Sequence, residues 1–198
     1  MAVLTGNLAD IYAVAGAGTA MLDEACTLTT GNSYQINDTV KRVWDKTTAF
    51  AVKVGGVVTT IPYQLSYASG TVNFISAPGG AVTVTGAFLT ITQLGQSNKW
   101  SLNIEQNRVM TATFGDLWEE FTTTTRKASA TLGRFYNDNY FLTNNGAPIA
   151  LYLYTKQSLG ERYMLIGRIT NSVTSEESSV MMESLSVTAD GPVDYSAT

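Results

Sequence analysis

Glycine and proline cut the middle of this chain into short β-branched and aromatic runs, and no long helix fits between them. Gly55-Gly56 separates residues 49–54 from 57–61, a hairpin whose turn calls for positive φ. Residues 63–67 and 71–75 flank Ala68-Ser69-Gly70, which closes a second hairpin. Pro78-Gly79-Gly80 turns the chain into a strand at 81–85, and residues 87–93 continue as another. Further strands are expected at 100–104, 149–155, 162–170 and 179–188. This rhythm specifies a mainly β fold, a sandwich or barrel.

Helices are few and short. Asn37 or Asp38 caps one that would place Val40, Val43 and Trp44 on a single face. Asp116 and Glu119 have the spacing of a capping box, opening a brief helix that carries Leu117, Trp118 and Phe121 before four threonines at 122–125. Residues 137–145, ended by Gly146 and Pro148, are a third candidate. The layout is composite. Residues 21–90 hold a helix, two hairpins and return strands, so they are expected to form an inserted small β-rich domain. Residues 1–20 and 91–198 form the other unit, with strands at 10–14 and 100–104 flanking the insertion. In the second of these, Trp100, Leu102 and Ile104 alternate with Ser101, Asn103 and Glu105, one apolar face against one polar face. Residues 190–198 read as a loose polar tail.

Composition narrows function. Charged residues make up 14% of the chain, against about 25% in ordinary soluble proteins, and 28 Thr and 15 Ser take their place. A net charge of −4 gives no basic footprint for clamping nucleic acid. The chain has no histidine, which removes Ser-His-Asp and Cys-His catalysis and the commonest zinc sites. Its one cysteine, Cys26, cannot form an internal disulfide and fits a strand core. No basic leader and no window of 18 apolar residues are present, so a soluble, cytoplasmically made chain without a membrane span is expected. Gly16-Ala17-Gly18 lacks the third glycine and the βαβ context of a dinucleotide site, and reads better as a turn. Asp116, Glu119 and Glu120 could bind a cation, but helix capping accounts for the first two. Glu176-Glu177 reads as a solvated turn. Tyr152 and Tyr154 share a strand face opposite Leu151 and Leu153, as a stacking platform or as buried aromatics.

The run Thr113-Phe114-Gly115-Asp116-Leu117-Trp118-Glu119-Glu120-Phe121, followed by residues 127–136, resembles the tail tube proteins of long, non-contractile-tailed (siphovirus-like) bacteriophages. There a Thr-Phe-Gly-Asp-x-Trp segment precedes a strand of small residues ending in an aromatic pair. Trp100-Ser101-Leu102 and residues 6–14 are similar to two other strands of that family. The resemblance covers about residues 1–18 and 91–190, and the intervening segment looks like a module inserted into some phage virion proteins. It implies a tail-tube-type β-sandwich or barrel with a short flanking helix, acting as the major tail tube subunit of a virion tail assembled in the host bacterial cytoplasm. Its partners would be copies of itself, in stacked, hexameric rings around a lumen through which the tape measure protein and phage DNA pass without specific binding. No catalysis, cofactor, metal or membrane is implied. Ser101, Asn103, Glu105, Ser129 and Thr131 would face the lumen, and Asp116, Leu117, Trp118, Glu119, Glu120 and Phe121 would form a ring-stacking loop. Alternatives are a tail-completion or capsid-decorating protein, or a carbohydrate-binding β-sandwich using Tyr152 and Tyr154.

Overall fold

A computed structural model of the chain describes residues 2–6, 8–110, 121–135, 140–156, 160–174 and 182–196. The fold is mainly β and all its strand pairs are antiparallel. Two sheets divide it. The first contains β1 (Ala2–Gly6), β2 (Leu8–Val14), β10 (Ile91–Ser97), β11 (Lys99–Met110), β12 (Phe121–Phe135), β13 (Pro148–Lys156), β14 (Glu161–Thr174), β15 (Met182–Ala189) and β16 (Asp194–Ser196). Its strand order is β1-β11-β12-β15-β14-β13-β2-β10, with β16 paired to β14. The second comprises β3 (Thr19–Thr30), β4 (Ser33–Ile36), β5 (Ala51–Val54), β6 (Val57–Val58), β7 (Tyr63–Ser66), β8 (Thr71–Phe74) and β9 (Val82–Phe88), in the order β6-β5-β9-β3-β4-β8-β7.

The first sheet curls into a half-barrel around Ile11, Trp100, Leu102, Leu132, Leu151, Leu165 and Leu185, which its strands supply at alternate positions. Phe141, on the single-turn helix α1 (Tyr140–Thr143), joins the same core. Trp100 ties opposite strands together: its indole Nε1 donates to the Tyr154 carbonyl at 3.3 Å. Gly6 lies against that ring, where an added Cβ would sit 2.4 Å from indole atoms, so glycine alone fits there. The second sheet has its own apolar cluster of Met21, Ile36, Trp44, Val52, Val72, Phe74, Val82 and Val84. Phe50 packs on Trp44 with ring centroids 5.1 Å apart.

Both hairpins form where the turn residues demand, and Gly55 and Gly56 adopt φ of 60° and 83°. Three expectations fail. The helix after Asp38 is a single 3-10 turn at Thr39–Lys41, and Val40 is 65% exposed while Val43 and Trp44 are buried. A 3-10 turn places three residues per revolution, so the i, i+3, i+4 stripe of an α-helix does not carry over. The division at Gly86 is absent, because β9 runs through that glycine to Phe88 and the chain breaks at Leu89-Thr90 instead. Gly86 is needed for space, since a Cβ there would meet the Phe50 ring at 2.5 Å. The tail is not loose either. Residues 194–196 form β16, which extends the line of β15 along β14 after a break at residues 190–193.

The second sheet is spliced between β2 and β10, which pair with each other directly, Val14 opposite Ile91. Lys46 meets both the carbonyl oxygen of Asp190 (2.5 Å) and its carboxylate (3.8 Å), and Ser69 Oγ donates to Asp194 Oδ2 at 3.0 Å. Ala150 and Met164 point away from the half-barrel core yet are only 1% and 3% exposed. Tyr67 and Ala68 of the insertion line a crevice with Ile166 and Pro192 on that side.

Candidate functional site

The five residues expected to share a polar face do so. Ser101 pairs with Thr131, Asn103 with Ser129 and Glu105 with Lys127 across β11 and β12. Thr5 of β1 lies opposite Ser101, while Thr188 and Ser186 of β15 lie opposite Ser129 and Thr131. All oppose the buried Leu102, Ala130, Leu132 and Val187. The side is rich in hydroxyls, each both donor and acceptor, and carries the carboxylate Glu105 across from Lys127, with Lys99 on the same side. Asn103 Nδ2 donates to Glu105 Oε1 at 2.8 Å, and its buried Oδ1 has no hydrogen-bond partner. Such a surface holds water well.

Beyond this face β11 and β12 continue as a two-stranded arm. Past Ile104 and Ser129 they pair only with each other among the described residues, as far as Met110 opposite Phe121. Asp116, Leu117, Trp118, Glu119 and Glu120 lie outside the described residues. Phe121 was expected on a helix and instead opens β12. The β-branched run Thr122–Thr125 favours extension and draws its neighbour into the strand.

A second cluster occupies the outer side of β2, β10, β13 and β14. Asp10 Oδ2 accepts from the hydroxyls of Tyr154 (3.1 Å) and Tyr12 (3.4 Å), and Oδ1 accepts from Gln96 (2.9 Å) and Gln93 (3.3 Å). Tyr12 and Tyr152 have ring centroids 4.9 Å apart. The Arg162 guanidinium lies 4.8 Å from the Tyr152 centroid and 5.9 Å from that of Tyr154. Burial, then the Asp10 charge, pushes the Tyr12 phenol up to about 12, and burial raises Tyr152 and Tyr154 as well. All three remain neutral donors near pH 7. Tyr152 and Tyr154 therefore share a face as their spacing requires, but Arg162 already lies over both rings. Sequence reasoning passed over Asp10, Arg162 and Arg42, which joins them from the insertion. Asp10 gave a signal, a lone carboxylate inside an apolar strand; Arg42 gave none, because only tertiary folding brings it near.

The chain matches no family model, and no curated protein shows significant similarity to it. Among the described residues no group of three carboxylate or thiol side chains converges to hold a metal ion.

Proposed function

We propose that the chain is a structural subunit that closes into rings and stacks into a hollow tube, the major tail tube protein of a long, non-contractile-tailed bacteriophage. It works without catalysis or cofactor. The observation that carries this reading is the hydroxyl-rich face of β1, β11, β12 and β15. A conduit for DNA must be wetted and must not hold its cargo, and a face of hydroxyls with a carboxylate among its few charges supports that role. The sheet edges support the same reading. β1 and β10 end the strand order, and neither Ala2–Gly6 nor Ile91–Ser97 contains a charge or a proline to discourage pairing. Edge pairing between copies would close the sheet and remove both edges, and the stretch of β11 and β12 past Ile104 and Ser129, paired with no other strand among the described residues, is available to a neighbouring copy. Rings of this kind, hexameric in the family that the sequence resembles, would carry the tape measure protein and then DNA along the lumen.

Purified protein examined by sedimentation and negative-stain microscopy over a range of concentrations should form rings or tubes with a central hole. A single monomeric species at every concentration and salt would overturn the reading.

A further inference from the structure

We propose that Arg42 and Arg162 form a binding site for a small oxyanion, a carboxylate or a phosphate group, at the seam between the two sheets. Arg42 closes the 3-10 turn of the insertion and Arg162 stands on β14, so folding alone brings them into one neighbourhood. The route can be followed in contacts. The Arg42 backbone abuts Gly70, where an ideal Cβ would lie 2.7 Å from the Arg42 carbonyl oxygen. Next to Gly70, Ser69 reaches Asp194 of β16, and Asp194 pairs with Met164, two residues from Arg162. On the adjoining strand Tyr152 lies opposite Met164, and Tyr154 opposite Arg162.

Three observations give the site its chemistry. First, the two guanidinium groups have no carboxylate partner: neither forms an ion pair among the described residues. Second, the Nε atoms of both are buried and have no hydrogen-bond partner. A buried donor without an acceptor is costly, and one on each of two cations at the same seam calls for an acceptor that carries negative charge. Third, the two carboxylates on this side are already taken, Asp10 by four donors from Tyr12, Tyr154, Gln93 and Gln96, and Asp194 by Ser66, Ala68 and Ser69 of the insertion. Both carboxylates are thus committed to neutral donors, and neither is paired with Arg42 or Arg162. Burial, and after it the Arg162 charge, pulls the Arg42 guanidinium below its ordinary value, the response expected of like charges held together. The fork of an arginine matches the paired oxygens of carboxylate and phosphate, and two forks can share one such group. Arg162 is fixed for the task by its position over Tyr152 and by donating from Nη1 to the Tyr154 hydroxyl at 3.4 Å.

The test uses the full chain at neutral pH and constant ionic strength, titrated separately with sodium phosphate and sodium acetate by calorimetry and by thermal unfolding. Phosphate stabilises many proteins generally, so the reading is the difference between wild type and variants. Wild type should give saturable binding and a rising melting temperature with at least one anion. Response to phosphate alone identifies a phosphoryl ligand, to acetate alone a carboxylate, and to both a site that reads charge. Arg42→Gln and Arg162→Gln should each weaken binding tenfold or more. Arg42→Gln should melt no lower than wild type without anion, since it relieves the pressure between like charges. Should Arg42→Gln fail to fold, Arg42→Lys keeps the charge and should still lose affinity with the fork. No saturable binding of either anion, or equal binding by the variants, overturns the proposal.

Discussion

Asp194 shows how one residue carries the seam. Its carboxylate accepts hydrogen bonds from Ser69, at both hydroxyl and backbone, from Ser66 and from the Ala68 amide, all on the insertion. None of those donors is a cation. Burial therefore prevails over the hydrogen bonds and raises the carboxyl above its ordinary 3.8. The consequence for stability has an unusual sign for an aspartate. In the folded state the group holds its proton more tightly than in the unfolded chain, so its stabilising contribution is complete below about 3.8 and is lost as pH climbs through the raised value. Asp45 behaves oppositely. Hydrogen bonds from the Thr47 hydroxyl and amide lower its pKa, so its contribution is lost only as pH falls below the ordinary carboxylate range. The two windows do not overlap. Urea unfolding across pH should thus show wild type losing stability from about pH 4 upward, and Asp194→Asn should flatten that limb without destabilising the protein at pH 7. A wild-type limb that the variant leaves unchanged would assign it to another group.

At the scale of elements, the arm built from β11 and β12 is separable from the packing of the sheet. Past Ile104 and Ser129 its two strands pair only with each other among the described residues. Replacing residues 108–123 with an Asn-Gly turn should leave the melting temperature within a few degrees of wild type, because the described backbone it removes pairs only within the arm. The same deletion should abolish tubes under conditions where wild type forms them. A strongly destabilised monomer would show that the arm folds back on its own subunit, and unchanged tubes would remove it from assembly. The sequence revealed such elements where local chemistry decides. Gly55-Gly56 and Ser69-Gly70 announce their turns, and the alternation from Trp100 to Glu105 announces its two faces. It concealed those decided by distant partners. Residues 194–196 become a strand because β14 offers a free stretch of edge, and Arg42 meets the tyrosine cluster only across the seam between sheets.

The whole molecule is two sheets threaded so that one can be lifted out. Val14 pairs with Ile91 and the Ala15 amide donates to the Thr90 carbonyl at 2.9 Å, so the chain leaves β2 and returns to β10 at adjacent points. No residue of the second sheet belongs to the half-barrel core. Cutting out residues 16–89 and joining Ala15 to Thr90 through Asn-Gly would turn β2 and β10 into an ordinary two-residue hairpin. The expected product folds and unfolds cooperatively but less stably than the full chain. Met164 loses its cover, which costs about 1.5–3 kcal/mol, with a smaller loss at Ala150. Two ion-pair and hydrogen-bond contacts, at Asp190 and Asp194, go with it. One change runs in the opposite direction. Once Ser66, Ala68 and Ser69 are gone, Asp194 returns to water, and the loss of stability above about pH 4 should vanish from the excised protein. Circular dichroism melts at pH 4 and pH 7 measure both effects together. A non-cooperative melt would mean that the two sheets share one folding unit; a cooperative melt that keeps the pH limb would mean that the insertion is not what buries Asp194.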